Sequence, residues 1–249
     1  MSQEPGRRGK LEPGVSRQRR LLGYDLLVSR EARLTRASRL SPAWPRIAYT
    51  AFFAVWLPAY WLHYGPPSFL WLCNAANFLI LIGLWTESRL LMSWQVVGLL
   101  TIEVGWIADL AARLALGWHP IGGTEYMFDA AKPLGIRVLS LYHACLPPLL
   151  LWSVQRLGYD RRAIWWQCAM AWLLLPLGYF WFQDRNLNMV HAPFHRPLVR
   201  LPEQVWFASC FVLYPLVLYW PVHQLLMRWQ RARGPAVELG SRCDRSRPG

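Results

Sequence analysis

The sequence predicts an all-α, polytopic membrane bundle of about six transmembrane helices, with both termini cytoplasmic. Three observations carry this. Of 249 residues, 54% are hydrophobic and only 16% are charged, where a soluble domain carries about a quarter charged residues. The apolar residues fall in blocks of roughly 20, the length that crosses a bilayer core. All but six of the 27 Lys and Arg residues lie in four segments: the N-terminal stretch through Arg46, the 87–89 joint, the 156–162 joint and the C-terminal tail. The positive-inside bias puts such segments on one, cytoplasmic side.

The elements follow in order. Residues 1–43 form a basic tail rich in Arg, Gly, Ser and Pro, a composition that does not build a packed core. Within it, "RRLLGYDLLVSREARLTRASRL" spaces Leu and Val between Arg. The tail therefore reads as largely disordered or as an amphipathic segment on the membrane surface. About 40 polar residues ahead of the first apolar run argue against a signal peptide.

Residues 44–228 hold the transmembrane domain, with spans near 45–63, 68–86, 90–116, 134–157, 162–182 and 204–227. Pro58, Pro147, Pro148, Pro176, Pro215 and Pro221 predict kinks, tolerated where neighbours satisfy the freed carbonyls. The third span is long, and Asp109 and Arg113, four apart near its end, read as a local ion pair. Trp44, Tyr60, Trp61, Trp118, Trp165, Trp166, Trp181 and Trp206 fall near span ends, as interfacial aromatics do. Residues 229–249 are a second basic, disordered tail.

A net charge of +13 and a pI near 10.1 can accompany nucleic-acid binding. Here Arg lies outside the apolar blocks and no nucleic-acid motif accompanies it. The expected partners are membrane lipids, with anionic headgroups at the basic cytoplasmic tails, and not nucleic acid; the sequence points to no protein partner. Five cysteines form no CxxC pair or zinc spacing. His191 and His195 stand four apart with Asp184, His119 and Asp129 on the same side, but Pro193 between them opposes a helix presenting both. "HAPFHRP" is instead an interfacial loop. Gly122–Thr124 is too short for a phosphate loop. No cofactor and no metal are expected.

With the N-terminus inside, the intramembrane polar residues converge. Cys73, Asn74 and Asn77 fall in the outer half of the second span, and Ser140, Tyr142 and His143 at a comparable depth in the fourth. Glu103 lies near mid-membrane on the third, and Asp109 nearer the outer surface. The outer loops "GWHPIGGTEYMFDAAKP" and "QDRNLNMVHAPFHRP" bring Asn188, Lys132, Arg185 and Arg196, and Arg137 stands at the start of the fourth span; the four cations could clamp an anionic headgroup. Strongly polar groups in lipid face the bundle interior or water, so an outer-facing polar cavity is expected. Glu103 reads as protonated, or as bonded to Asn77 between helices. The pair with chemistry is Cys73 and His143: an imidazole that takes the thiol proton makes an activated nucleophile. Asn74 or Asn77 would orient the base or donate to an oxyanion.

The order "LCNAANFLILIGLWTESRLL", "LSLYHACLPPLLL", "GYDRRA", "NLNMVH" resembles the YwaF-like family of bacterial integral membrane proteins, over roughly residues 68–191. That group is similar to the androgen-induced transmembrane lipid hydrolases and to a cysteine-dependent phospholipid acyltransferase of animals. The resemblance implies a catalytic pair at Cys73 and His143, and a bacterial inner-membrane location. Departures are Trp71, where the pattern tends to carry His, Tyr142-His143-Ala144 in place of Ser-His-Gly, and Asn188-Met189 as an echo of Asn-Tyr-Met.

Three functional classes follow. A lipid acyl or ester hydrolase or acyltransferase would use Cys73 and His143. A small transporter or lipid-binding protein would use the same cavity without covalent chemistry. A structural membrane protein would use the polar groups to fix helix packing.

Overall fold

The computed structural model describes Leu40 and residues 42–192 and 201–243. The expectations for the N-terminal tail, and for His195 and Arg196, lie outside the described residues.

Among the described residues every regular element is helical. Helix α1 spans Trp44–Tyr64. Pro45 in its first turn lacks only an N–H that has no helical partner there. Gly65, at φ 76°, ends it in a conformation open to a residue without Cβ. A 3₁₀ turn (Pro66–Leu70) leads to an extended Trp71 and then α2, Leu72–Thr86. Helix α3, Arg89–Leu116, starts on Ser88, whose side chain accepts from Leu91 N. Next come α4 (Leu134–Leu139), α5 (Tyr142–Leu157) and α6 (Ala163–Trp181). The last rod is α7 (Glu203–Leu213), a π-helical segment (Tyr214–Tyr219) and α8, Trp220–Cys243. The backbone of α8 stays helical to Cys243, past residue 228, where composition placed the start of a disordered tail.

Four of these helical stretches are long and apolar enough to cross a membrane: Arg89–Leu116, Leu134–Leu157, Ala163–Trp181 and Glu203–Ala232. They mark an integral membrane protein. Helix α2 has 15 residues, about 22 Å at 1.5 Å per residue, against a core of roughly 30 Å. Helix α1 has 21 residues but mixes Arg46, Tyr and Pro into its apolar run. Six helical blocks match the expected spans, and four of them meet both criteria.

Helix α3 is the axis of the bundle. It packs against α2, α5, α6, the π segment and α8, and half of its apolar window is buried, against 17% for the last rod. At Gly98 an added Cβ would lie 2.3 Å from Gln167 Oε1, so the Gln167 side chain of α6 packs over the bare backbone of α3 there and would have to shift to admit a larger residue. Between α1, α2 and α5, Trp56 is fully buried, its ring centroid 5.5 Å from Phe69 and 6.1 Å from Phe78 and Tyr142.

The prolines act as their chemistry requires. Pro147 and Pro148 withdraw the donors for the carbonyls of His143 and Ala144. The turn before them tightens to i→i+3 bonds, His143 N to Ser140 O at 3.2 Å and Ala144 N to Leu141 O at 3.0 Å. Pro215 leaves the Phe211 carbonyl without a helical donor, and the Trp172 indole of α6 donates to it at 3.1 Å. Trp44, Trp61, Trp165, Trp166 and Trp181 are exposed, as residues of an aromatic belt are. Tyr60 is a correction: it is 5% exposed because it turns inward to a hydroxyl on the α4–α5 corner.

Candidate functional site

A cavity of about 1020 Å³ opens at one end of the bundle. Six of the eight residues singled out from sequence line it: Cys73, Asn74, Asp109, Ser140, His143 and Asn188. Asn77 and Glu103 lie behind its wall, fully buried.

Cys73 sits in the first turn of α2. A helix start leaves its first backbone N–H groups without internal partners, and Asn188 takes one of them. Its Oδ1 accepts from Leu72 N at 2.7 Å and its Nδ2 donates to Leu70 O at 2.9 Å. Asn188 is in the left-handed region at φ 53°, a conformation asparagine tolerates, and the Tyr214 hydroxyl donates to its carbonyl. The N–H groups of Cys73 and Asn74 remain beside the Cys73 sulfur. Asn74 ties three elements together: Nδ2 donates to Ser68 O at 2.8 Å and Oδ1 accepts from the Tyr142 hydroxyl at 2.9 Å.

His143 is held on three sides. Its Nδ1 is 2.6 Å from Glu103 Oε2. Its ring stacks on Trp106 at 5.0 Å and on Tyr142 at 4.1 Å, each at 28°. Nδ1 is committed to a buried carboxyl outside the cavity, so Nε2 is the ring atom left for chemistry.

Several partners differ from those expected. Glu103 bonds His143 rather than Asn77. Asn77 Oδ1 instead accepts from the Tyr49 hydroxyl at 2.7 Å, and Asn77 Nδ2 and Glu103 Oε1 are buried without partners. Neither Asn74 nor Asn77 hydrogen-bonds the His143 ring; Glu103 does. Asp109 does not pair with Arg113. Its carboxylate accepts from Ile121 N (2.7 Å), Gly122 N (3.0 Å), Thr124 N (2.9 Å) and the Thr124 hydroxyl, and lies 3.2 Å from His119 Nδ1. Those bonds fold the 119–124 loop back as a wall of the cavity. Arg113 turns to the Gly117 carbonyl and the Phe128 ring. Across the cavity the Tyr60 and Ser140 hydroxyls are 2.7 Å apart. Tyr126 accepts from the Trp106 indole at 3.2 Å, and burial pushes its phenol pKa up, keeping it neutral. Tyr60, Trp106 and Tyr126 escape a reading that looks for charge, since aromatic residues near span ends resemble interfacial belts.

The His residues weighed for a metal are engaged elsewhere. His191 Nδ1 is 2.7 Å from Glu203 Oε1, its ring stacked on Tyr179, and His119 sits on Asp109 and Thr124. Among the described residues no three His, Cys, Asp or Glu side chains gather as a metal site would.

A second polar cluster lies at the opposite end. There the Arg89 guanidinium donates to the Tyr159 carbonyl, and the Tyr159 hydroxyl is 2.6 Å from His223 Nδ1. Asp160 N donates to Ser93 Oγ at 2.9 Å. Asp160 also takes Arg162 through Nε at 3.2 Å and NH2 at 2.9 Å, and those bonds hold its carboxyl pKa below the ordinary value. With its amide turned to suit both neighbours, Gln230 donates to Tyr159 O at 3.1 Å and accepts from Arg89 at 3.2 Å.

No protein-family model matches the chain, and neither a curated protein nor a solved structure is similar to it.

Proposed function

We propose that the chain is a six-span membrane enzyme that hydrolyses or transfers a lipid acyl ester, with Cys73 as nucleophile, His143 as base and Glu103 as the group that orients the base. The observation carrying this reading is the 2.6 Å Glu103–His143 contact behind a cavity that Cys73 also lines. In the proposed reaction His143 Nε2 takes the thiol proton and the thiolate attacks the acyl carbon. The carbonyl electrons move to oxygen, beside the backbone N–H groups of Cys73 and Asn74. Collapse breaks the ester C–O bond, and the leaving alkoxide takes the proton from His143. Water, or the hydroxyl of a second lipid, then cleaves the thioester and returns the proton to sulfur. The reading includes a cavity facing outward, cytoplasmic tails, a bacterial inner-membrane location and a likeness to the YwaF-like proteins.

A second reading draws on one specific observation. Cys73 Sγ lies 4.0 Å from Asn74 Oδ1 and has no hydrogen bond to His143. A lipid-binding or transport protein would use the same cavity without forming a bond, and its ligand binding would survive loss of the thiol.

The test is labelling of purified, solubilised protein with a thiol-reactive lipid probe and an alkyl fluorophosphonate, comparing wild type with Cys73→Ala and His143→Ala. Label confined to Cys73 and dependent on His143 supports the enzyme. Equal labelling of all three removes it in favour of the second reading.

A further inference from the structure

Three charged side chains line the cavity besides His143: Asp109, Lys132 and Arg185. The Asp109 carboxylate is already enclosed by the donors of the 119–124 loop, so little of its charge is left for a ligand. The two cations converge from different loops on the C-terminal end of α1. Lys132 Nζ lies 5.7 Å over the Tyr64 ring, and Arg185 NH1 donates to the Tyr64 carbonyl at 2.7 Å. A helix C-terminus is where cations are held favourably. Lys132 has no carboxylate within ion-pair distance among the described residues. Arg185 has Asp184 at 3.7 Å, a side chain 79% exposed, and a contact so open to solvent neutralises little.

Much of the rest of the wall is apolar: Leu72, Ile102, Leu187, Leu213, Val217 and Leu218 all line it. Its volume of about 1020 Å³ lies at the upper limit of pockets for drug-sized ligands, roughly 300–1,000 Å³. A free oxyanion requires a small cage of donors. Two cations beside a large, mainly apolar chamber suit a molecule with an anionic head and a hydrocarbon body.

We propose that the cavity binds an acyl lipid with a net-anionic phosphate head, its phosphate, not neutralised by a cationic headgroup, at Lys132 and Arg185 and its chain along the wall formed by α3 and the π segment. This deepens the enzyme reading and rests on it only in setting the ester beside Cys73; the binding stands without covalent chemistry. Guanidinium and ammonium groups both suit phosphate, the former through paired N–H donors.

The experiment uses full-length protein in a nonionic detergent, in a Cys73→Ala background that prevents turnover. Two probes share one pyrene-labelled chain, phosphatidylglycerol and phosphatidylcholine, read by energy transfer from tryptophan. The expected result is tighter binding of phosphatidylglycerol by about tenfold, equivalent to ~1.4 kcal/mol. Lys132→Gln with Arg185→Gln brings it to the phosphatidylcholine level and leaves phosphatidylcholine binding unchanged, which shows an intact chamber. Equal affinities in the parent, or a preference that survives both substitutions, overturns the proposal. Displacement by millimolar inorganic phosphate as complete as by a short-chain anionic lipid overturns it too, because the site would then read phosphate alone. A reactive Cys73 without the headgroup preference defeats only this inference; the preference with an inert Cys73 defeats only the enzyme.

Discussion

Both ends of the bundle collect Tyr, His, Arg and acidic side chains from helices far apart in sequence, yet the two collections behave differently. At the Tyr159 end the hydrogen bonds are mutual: Arg89, Ser93, Asp160, Arg162, His223 and Gln230 answer one another across the joints between helices. At the cavity end the bonds point away from the open space. Glu103 grips the far side of the His143 ring, Asn188 grips the backbone before Cys73, and Asp109 grips a loop. The lesson is that polarity inside a membrane protein does not itself mark a site. A closed cluster fixes architecture; a cluster whose bonds leave a ring nitrogen and a thiol beside a chamber is the arrangement the proposed ligand site needs.

Substitutions sharpen that contrast, beginning with the largest effect. Glu103→Gln retains a hydrogen-bonding side chain but removes the carboxylate that sets the His143 tautomer. Thiol labelling at Cys73 is expected to slow by about 10²-fold or more, the scale of general-base catalysis, with little change in melting temperature. Arg89→Met should do the reverse. Losing charge-assisted bonds to the Tyr159 carbonyl costs about 1.5–3 kcal/mol, read as a lower melting temperature in detergent with labelling rate unchanged. If either substitution moves both readouts together, the two ends are one cooperative unit and the contrast fails.

Asn188→Ala tests the boundary between the two behaviours, since the residue is structural in its bonds and functional in its place. It strands Leu72 N–H and Leu70 C=O, at about 1–3 kcal/mol, and should also weaken labelling by loosening the first turn of α2. Circular dichroism melting and labelling kinetics on one sample separate these effects.

The smallest expected effect belongs to Asp160. Its carboxyl pKa is depressed by Arg162, so its stabilisation is present above the ordinary carboxylate range and lost as pH falls through the folded value. Arg162 is 72% exposed, and solvent screening keeps the gain small. Asp160→Asn should flatten the acid limb of a stability–pH curve measured in detergent and leave neutral-pH labelling as it was.

The helices were legible because apolar blocks start and stop abruptly: 90–116 became Arg89–Leu116 and 162–182 became Ala163–Trp181. That Cys73, Asn74, Ser140 and His143 face one cavity was legible too, since fixed helix rise converts sequence position into height once adjacent spans run in opposite directions. Partner choice was not. Asp109 and Arg113 look paired because four residues bring side chains together on an isolated helix, but a returning loop with several donors outcompetes one guanidinium. Glu103 and His143 are 40 residues apart, and their meeting depends on how α3 and α5 are rotated about their own axes, which no single-helix pattern records. Tyr60 was hidden by its type, an aromatic residue near a span end that carries a hydroxyl inward, and Tyr126 by its place in a loop.

The last rod gives the chamber a particular reservoir. Leu213, Val217 and Leu218 line the cavity, while Val212, Leu216 and Val217 remain more than half exposed. One helix thickness therefore separates the interior from the surrounding acyl chains. A ligand that reaches the chamber past that rod is counted per lipid rather than per litre. A membrane component at a few mole per cent would then keep even a weak site filled, and aqueous dissociation constants would be the wrong scale for judging occupancy.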